Sequence, residues 1–234
     1  MDEALRRRAS AGLYDFVRQA WPVVEMQRPF TEAWHIGAIC EHLEAVASGQ
    51  ITNLGINVPP STGKSTVASV MFPAWVWARD PTQRFLCASY DQTQSTRDNM
   101  RMRDLVLSEW FQRWWPTTLR DDLNLKTKYA NTKGGWRIGV AVSAPRIGEH
   151  PNYKLIDDPH NPRKQLMSDA EIMAASDWYD FNMKVRGQMI GARTVLIMQR
   201  LHQRDLTGYL RERGGSEWEW LVLPMRWEPR AQVR

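Results

Sequence analysis

The sequence predicts an α/β fold with a mainly parallel central sheet, and three observations carry that expectation. Apolar runs alternate with helical patterns: "TNLGINV", a helix to about residue 79, "QRFLCASY", then "DQTQSTRDNMRMRDLVL". Strand, helix, strand, helix is the order of a parallel sheet with crossover helices. The first run leads into Gly63-Lys64-Ser65 at a helix start, the arrangement of a phosphate-binding loop. A later run, "NYKLIDDPH", ends in two carboxylates, Asp157 and Asp158.

Each element follows from local pattern. Leu5, Ala9, Leu13, Phe16 and Val17 recur at helical spacing, so an amphipathic helix is expected over 3–20. A second helix fits 32–48, with Thr31 as N-cap and Gly49 as its stop. Asp91 caps the helix that follows the strand at 83–90. Between about 108 and 152 the pattern changes. There "KTKYANTKGGWRIGVAVSA" sets a Lys-Gly-Gly turn between two β-prone segments, which reads as a hairpin. A long polar helix over about 168–185 then leads to the strand "GARTVLIMQR". The stretch "QRDLTGYLRERGG" reads as a helix with a glycine stop, and "EWEWLVLPM" as a final strand. No internal repeat or low-complexity segment appears.

Composition bounds the function. A hydrophobic fraction of 43% over 234 residues excludes a disordered chain. No run of about 18 apolar residues occurs, and the N-terminus is charged where a signal peptide has an apolar stretch, so a soluble intracellular protein is expected. Cys40 and Cys87 lie in unrelated apolar segments without a CxxC pair, which argues against a zinc site or disulfide framework. A net charge of +5 suits a polyanionic partner but argues for one only weakly. The twelve tryptophans are expected mainly in packing.

The chemistry lies in two stretches. A loop between a strand end and a helix N-terminus points backbone N–H groups at an anion. In "VPPSTGKST", Gly63 permits close backbone approach, Lys64 reaches the β- and γ-phosphates, and the Ser65 hydroxyl binds Mg²⁺. Against this, Val58 stands where the motif has its first glycine, and a Gly-Lys-Ser tripeptide at a helix start also arises by chance. At the tip of a strand, Asp157 would hold the metal and Asp158 would act as general base. An Asp-Asp-Pro turn ends strands for local reasons too. The pairing of this strand end with the upstream loop favours the chemical reading.

Several segments together resemble the ATPase domain of the large terminase subunit of tailed bacteriophages. They are "FTEAWHIGAICEHLEAVASGQITNLGINVPPSTGKST", "RFLCASYDQTQSTRDNMRMRDLV", "TKGGWRIGVAVSAPRIGEHPNYKLIDDPHN" and "RTVLIMQRLHQRDLTGYL" leading into "EWLVLP". The resemblance covers roughly residues 28–225, with the segments in matching order and spacing. It implies a three-layer P-loop NTPase fold of the ASCE type, with a helical N-terminal segment over the nucleotide site. Two prolines without the first glycine are normal in that family's loop, although relatives have a longer apolar run before the two acids.

The resemblance further implies ATP and Mg²⁺ as ligands. Pro60, Ser61, Thr62, Gly63, Lys64, Ser65 and Thr66 would form the phosphate loop, Ser65 and Asp157 would hold the metal, and Asp158 would be the catalytic acid residue. Gln27, Trp34 and His35 lie in the segment that flanks the adenine, although Trp34 and His35 read equally as a helix's core face. Arg146 resembles a finger that reaches a neighbouring subunit's site, with a solvated loop arginine as the alternative. Gln199 and Arg200 align with the coupling motif, and His202 and Asp205 share that segment, where helix capping suits Asp205 better. Relatives frequently carry arginine where this loop has Ser61, so Arg97, Arg101 or Arg200 would have to substitute.

The implied function is an ATP-driven motor that moves double-stranded DNA into a procapsid. It would work as a homo-oligomeric ring on the capsid portal, with a small terminase subunit as partner, in the host bacterial cytoplasm and not as part of the virion. Expected divisions are an N-terminal helical lid (1–50), the ATPase core (51–225) and the start of a linker (226–234) to a nuclease domain whose active site is not in this chain. The rival readings are a helicase-like DNA translocase and an inactive nucleotide-binding prophage remnant.

Overall fold

The computed structural model describes residues 2–145, 148–161, 168–184, 191–213 and 215–224. Its strands are β1 (Asn53–Asn57), β2 (Arg84–Ser89), β3 (Leu119–Asn124), β4 (Lys128–Asn131), β5 (Trp136–Ala141), β6 (Tyr153–Asp157), β7 (Arg193–Met198) and β8 (Glu219–Val222). They form one sheet in the order β3-β4-β5-β2-β6-β7-β1-β8. From β5 to β8 every neighbouring pair is parallel, and β3 and β4 add an antiparallel margin. The α/β expectation holds, as does the hairpin at Lys133-Gly134-Gly135, where Gly134 adopts φ 94° between β4 and β5.

The helices are α1 (Asp2–Ala11), α2 (Leu13–Val24), α3 (Trp34–Ser48), α4 (Phe72–Arg79), α5 (Gln92–Leu107), α6 (Glu109–Trp114), α7 (Asp169–Trp178) and α8 (Leu206–Arg213). Alternation along the strands sends side chains to two faces. Phe85 and Cys87 join Leu54, Ile56, Leu155 and Val195 in a core shared with α1 to α6. Leu86 and Ala88 join Ile156, Leu196 and Met198 in a second core under α7 and α8. Three layers result, with the sheet buried on both sides, as parallel strands require. Cys40 and Cys87 are buried free thiols. Among the described residues no helix is long and apolar enough to cross a membrane.

Some local expectations fail for identifiable reasons. The single helix expected over 3–20 breaks at Gly12, which is extended (φ −126°, ψ 135°), while the Leu13 N–H donates to Glu44 Oε1 at 2.5 Å. That bond joins α2 to α3, a tertiary contact invisible to periodicity. α3 opens at Trp34 after Ala33, with no side-chain cap, so Thr31 does not serve. Asp91 does cap α5, accepting from the Gln94 N–H at 2.9 Å. The expected linker, 226–234, lies outside the described residues.

The helix after the Gly63-Lys64-Ser65 loop is wound wide over Thr66–Met71, where the Phe72 N–H reaches Val67 O, before it tightens into α4. Pro73 explains the widening. Its ring would meet the carbonyl four residues back and it has no N–H to donate, and a wider turn avoids the clash.

Gly208 in the first turn of α8 shows how tightly the preceding loop is folded. A Cβ there would sit 1.8 Å from the Gln203 carbonyl oxygen. Alanine gains about 1 kcal/mol in helix propensity over glycine, but the backbone must move by more than an ångström to admit it. Gly208→Ala is expected to lower stability by about 1–3 kcal/mol net, read as a fall in urea midpoint; an unchanged or raised midpoint contradicts the packing.

Candidate functional site

The loop leaving β1 begins with Val58, which is buried and bonded through its N–H to Met198 O at 3.3 Å. A side chain here fills the core, so the position has no need of glycine. Pro59 follows, then exposed Pro60 and Ser61. Ser61 adopts φ 62° and Gly63 φ 79°, and two left-handed residues so close together turn the chain sharply into the helix. The Thr62 hydroxyl donates to Pro59 O at 3.0 Å and closes the turn. At Gly63 a Cβ would stand 3.3 Å from the Trp21 ring, so glycine also suits the approach of α2.

β6 delivers the carboxylates to the same edge. β7 lies between β1 and β6, and the shared register aligns Asn57 with Met198 and Asp157 with Ile197. Lys64 Nζ then stands 2.9 Å from Asp158 Oδ2, both side chains largely buried. The Ser65 hydroxyl donates to Asp157 Oδ1 at 3.1 Å and the Ser69 hydroxyl to Oδ2 at 2.8 Å. Burial pushes the Asp157 carboxyl well above the usual carboxylate range; the Asp158 and Asp98 charges add to the effect, and Lys64 and Ser65 oppose it. Asp158 is itself constrained, with φ 42°, its N–H on Ile197 O, its carbonyl accepting from Tyr90 and its Oδ1 accepting from the Gln199 N–H at 3.2 Å.

A cleft of about 580 Å³ opens beside the loop, between it and the α2–α3 connection. Ser61 to Thr66 line one side; Trp21, Glu25, Arg28, Phe30 and His35 line the other. Trp21 and Phe30 meet edge to face at 5.3 Å, and Trp21 Nε1 donates to Arg28 O, pinning the connection. His35 Nε2 lies 3.1 Å from Thr62 O. The structure does not bring Trp34 or Gln27 into this lining. Trp34 is 72% exposed and faces a separate depression with Glu32, Glu41 and Glu44, because adjacent helix residues point to different sides. Gln27 is exposed outside the cleft.

The segment after β7 is locked on itself. Arg200 donates to Asp205 Oδ2 and to the carbonyls of His202 and Gln203, at 3.0 to 3.2 Å. Asp205 also accepts from the Leu201, His202 and Gly208 N–H groups, so it caps α8. Gln199 reaches the carboxylate pair through its backbone. Of the arginines expected to offset Ser61, Arg97 pairs with Asp98 at 2.9 Å and Arg200 with Asp205, while Arg101 touches Thr66 in the loop helix. Arg146 lies outside the described residues.

Sequence reasoning missed Trp21, Phe30, Glu25, Ser69 and Asp98. Ser69 was recoverable, standing one helical turn beyond Ser65 on the same face. The others reach the site through tertiary packing.

The donor set fits a nucleotide with Mg²⁺. The cleft has the size of a small-molecule site, with aromatic rings at one end and a cation and a helix N-terminus at the other. One hydroxyl and one carboxylate suit Mg²⁺, which keeps waters and takes phosphate oxygens. Among the described residues no group of three or more His, Cys, Asp or Glu side chains forms an independent metal cage.

The architecture is an α/β fold built on an eight-stranded, mainly parallel sheet. Its overall fold is similar to the large terminase of bacteriophage HK97 (TM-score 0.59, 10% identity), over 94% of this chain and 45% of that one. It is also similar to the large terminase ATPase domain of Thermus phage P74-26 (TM-score 0.52, 11% identity), over 86% of this chain and 83% of that one. The chain thus spans less than half the length of the HK97 protein. No protein-family model matches the sequence, and no curated protein matches it.

The buried Asp157 has a measurable consequence in metal-free protein. A carboxyl whose folded-state pKa is raised stabilises the fold at low pH, and that contribution fades as pH rises through the raised value. Asp157→Asn is therefore expected to be more stable than wild type at about pH 8, by roughly 1–2 kcal/mol, with the gap closing near pH 4. Urea titrations at both pH values measure it, and a wild type more stable than the variant at the higher pH contradicts the burial argument.

Proposed function

We propose that this chain is the ATP-hydrolysing motor domain of a large-terminase-type DNA translocase. The observation that carries the reading is the meeting of Lys64, which lines the cleft, with Asp158 at 2.9 Å, from loops that leave two different strands. A cation on a phosphate loop beside a constrained carboxylate is the pair that phosphoryl transfer to water needs. Fold likeness to large terminases adds support for the class.

In this reading the backbone N–H groups of Thr62 to Ser65 receive the phosphates, and Lys64 turns from Asp158 to the β- and γ-phosphates. Asp158, released from Lys64, orients a water in line with the γ-phosphorus and accepts its proton. Ser65 and Asp157 would hold Mg²⁺, which would offset charge on the phosphate oxygens. Trp21, Phe30 and His35 receive the base, and residues 1–50 form the lid on that side. Loss of the γ-phosphate is felt by Asp158 and passes through the Gln199 N–H to the Arg200–Asp205 loop and α8. The net charge of +5 suits duplex DNA held through its phosphates, without regard to sequence. The polymer would be moved through a ring of subunits on a capsid portal, with a small subunit as partner, in the host bacterial cytoplasm.

Steady-state hydrolysis of Mg·ATP tests the proposal. Lys64→Ala and Asp158→Asn should each lower kcat by at least about 100-fold. Duplex DNA should stimulate wild type, and added salt should abolish the stimulation. Equal background rates in wild type and both variants would refute the motor reading.

A further inference from the structure

A cation that the loop chemistry leaves unused stands against two residues of the cleft wall, Glu25 and Thr66. Arg101, on α5, donates from Nη1 and Nη2 to Thr66 Oγ1, each at 3.3 Å, and forms a short ion pair with Glu25. Glu25 Oε1 also accepts from the Thr66 hydroxyl at 2.9 Å. The Glu25 and Arg101 side chains are about three-quarters buried, at 25% and 24% exposure. On the far side of Arg101, Asp98 Oδ1 lies 3.9 Å from Nη1 and is itself paired with Arg97 at 2.9 Å.

Glu25 is out of place on electrostatic grounds. It lines the same cleft as the loop N–H groups and Lys64, a setting that favours an anionic ligand. A polyphosphate entering there meets a fixed negative charge, unless that charge withdraws. Glu25 is placed to withdraw. It follows the last residue of α2, at φ −118° and ψ 61°, and leads into the connection that lines the base side of the cleft.

We propose that Glu25 is an internal stand-in for nucleotide phosphate, holding Arg101 against Thr66 until the nucleotide displaces it. The inference rests on the nucleotide-site reading above and goes beyond it, since it names Arg101 as a phosphate-binding residue and Glu25 as its competitor. Asp98 keeps the guanidinium oriented when Glu25 leaves. The phosphate concerned follows from the loop. Lysine serves the β- and γ-phosphates while the backbone cradles α and β. Thr66 lies two residues past Lys64, so Arg101 meets the α/β end, common to ADP and ATP.

Calorimetric titration of Mg·ADP and a non-hydrolysable Mg·ATP analogue into wild type, Glu25→Gln, Arg101→Ala and Lys64→Ala tests this. Glu25→Gln keeps the shape and removes the charge, and is expected to tighten both ligands by about threefold or more. Arg101→Ala should weaken both by a similar factor, roughly tenfold or more. Opposite signs are the signature, since a clamp that only braces the fold would lose affinity in both variants. Weakened or unchanged binding in Glu25→Gln overturns the proposal, as does an Arg101→Ala effect confined to the ATP analogue. Glu25→Gln decides alone should Arg101→Ala fail to fold. Wild type that binds neither ligand, with Lys64→Ala no different, overturns the nucleotide site and this inference together; wild type that binds while the signs agree overturns this inference alone.

Discussion

Lys64 and Asp158 meet at 2.9 Å only because β1, β7 and β6 run in the same direction. Parallel strands release their C-terminal ends along one edge, so a loop that follows β1 and a carboxylate that ends β6 emerge side by side. β7, between them, sets their spacing and supplies Ile197 O, and the Gln199 N–H just past its end joins it in fixing Asp158 at its left-handed backbone angle. A strained non-glycine residue needs such surrounding bonds to persist. Burial of both charges makes the pair conditional. Removing one partner would leave the other uncompensated, at a cost of about 3–5 kcal/mol.

The charged groups in and around the cleft are thus paired with one another. Lys64 faces Asp158, Arg101 faces Glu25, and Asp157 is held by two serine hydroxyls in a setting that disfavours its charge. Each arrangement is one that an anion or a divalent cation would reorganise. A site of this kind is less stable than an apolar one of the same size, and the imbalance is what ligands relieve. The two carboxylates paired with cations lie on separate elements, one at the end of α2 and one at the end of β6. Occupation of the cleft therefore acts on the lid side and on the sheet edge at once.

Much of this was legible in the sequence, and the exceptions share a cause. Alternating strand and helix patterns, the loop at Gly63-Lys64-Ser65 and the strand end at Asp157 are local signals, and local signals placed the parallel sheet. Gly12 broke a helix because Glu44, on another helix, took the Leu13 N–H. Trp34 carried the more visible aromatic signal, yet Trp21 and Phe30 line the cleft. No periodicity distinguishes them, since the choice depends on how the α2–α3 connection folds over the loop. Glu25 and Arg101 stand 76 residues apart, and each reads alone as an ordinary surface charge. Ser61 was marked as a departure from the family's loop, and the left-handed turn it occupies shows a backbone role that its identity did not announce.

The central claim is that Asp158 holds the place beside Lys64 that a nucleotide's terminal phosphates take. A crystal structure with Mg²⁺ and a non-hydrolysable ATP analogue tests it most directly. The account predicts Lys64 Nζ within hydrogen-bonding distance of β- and γ-phosphate oxygens, and Asp158 facing a water in line with the γ-phosphorus. An analogue bound in the cleft above an intact Lys64–Asp158 pair would contradict it.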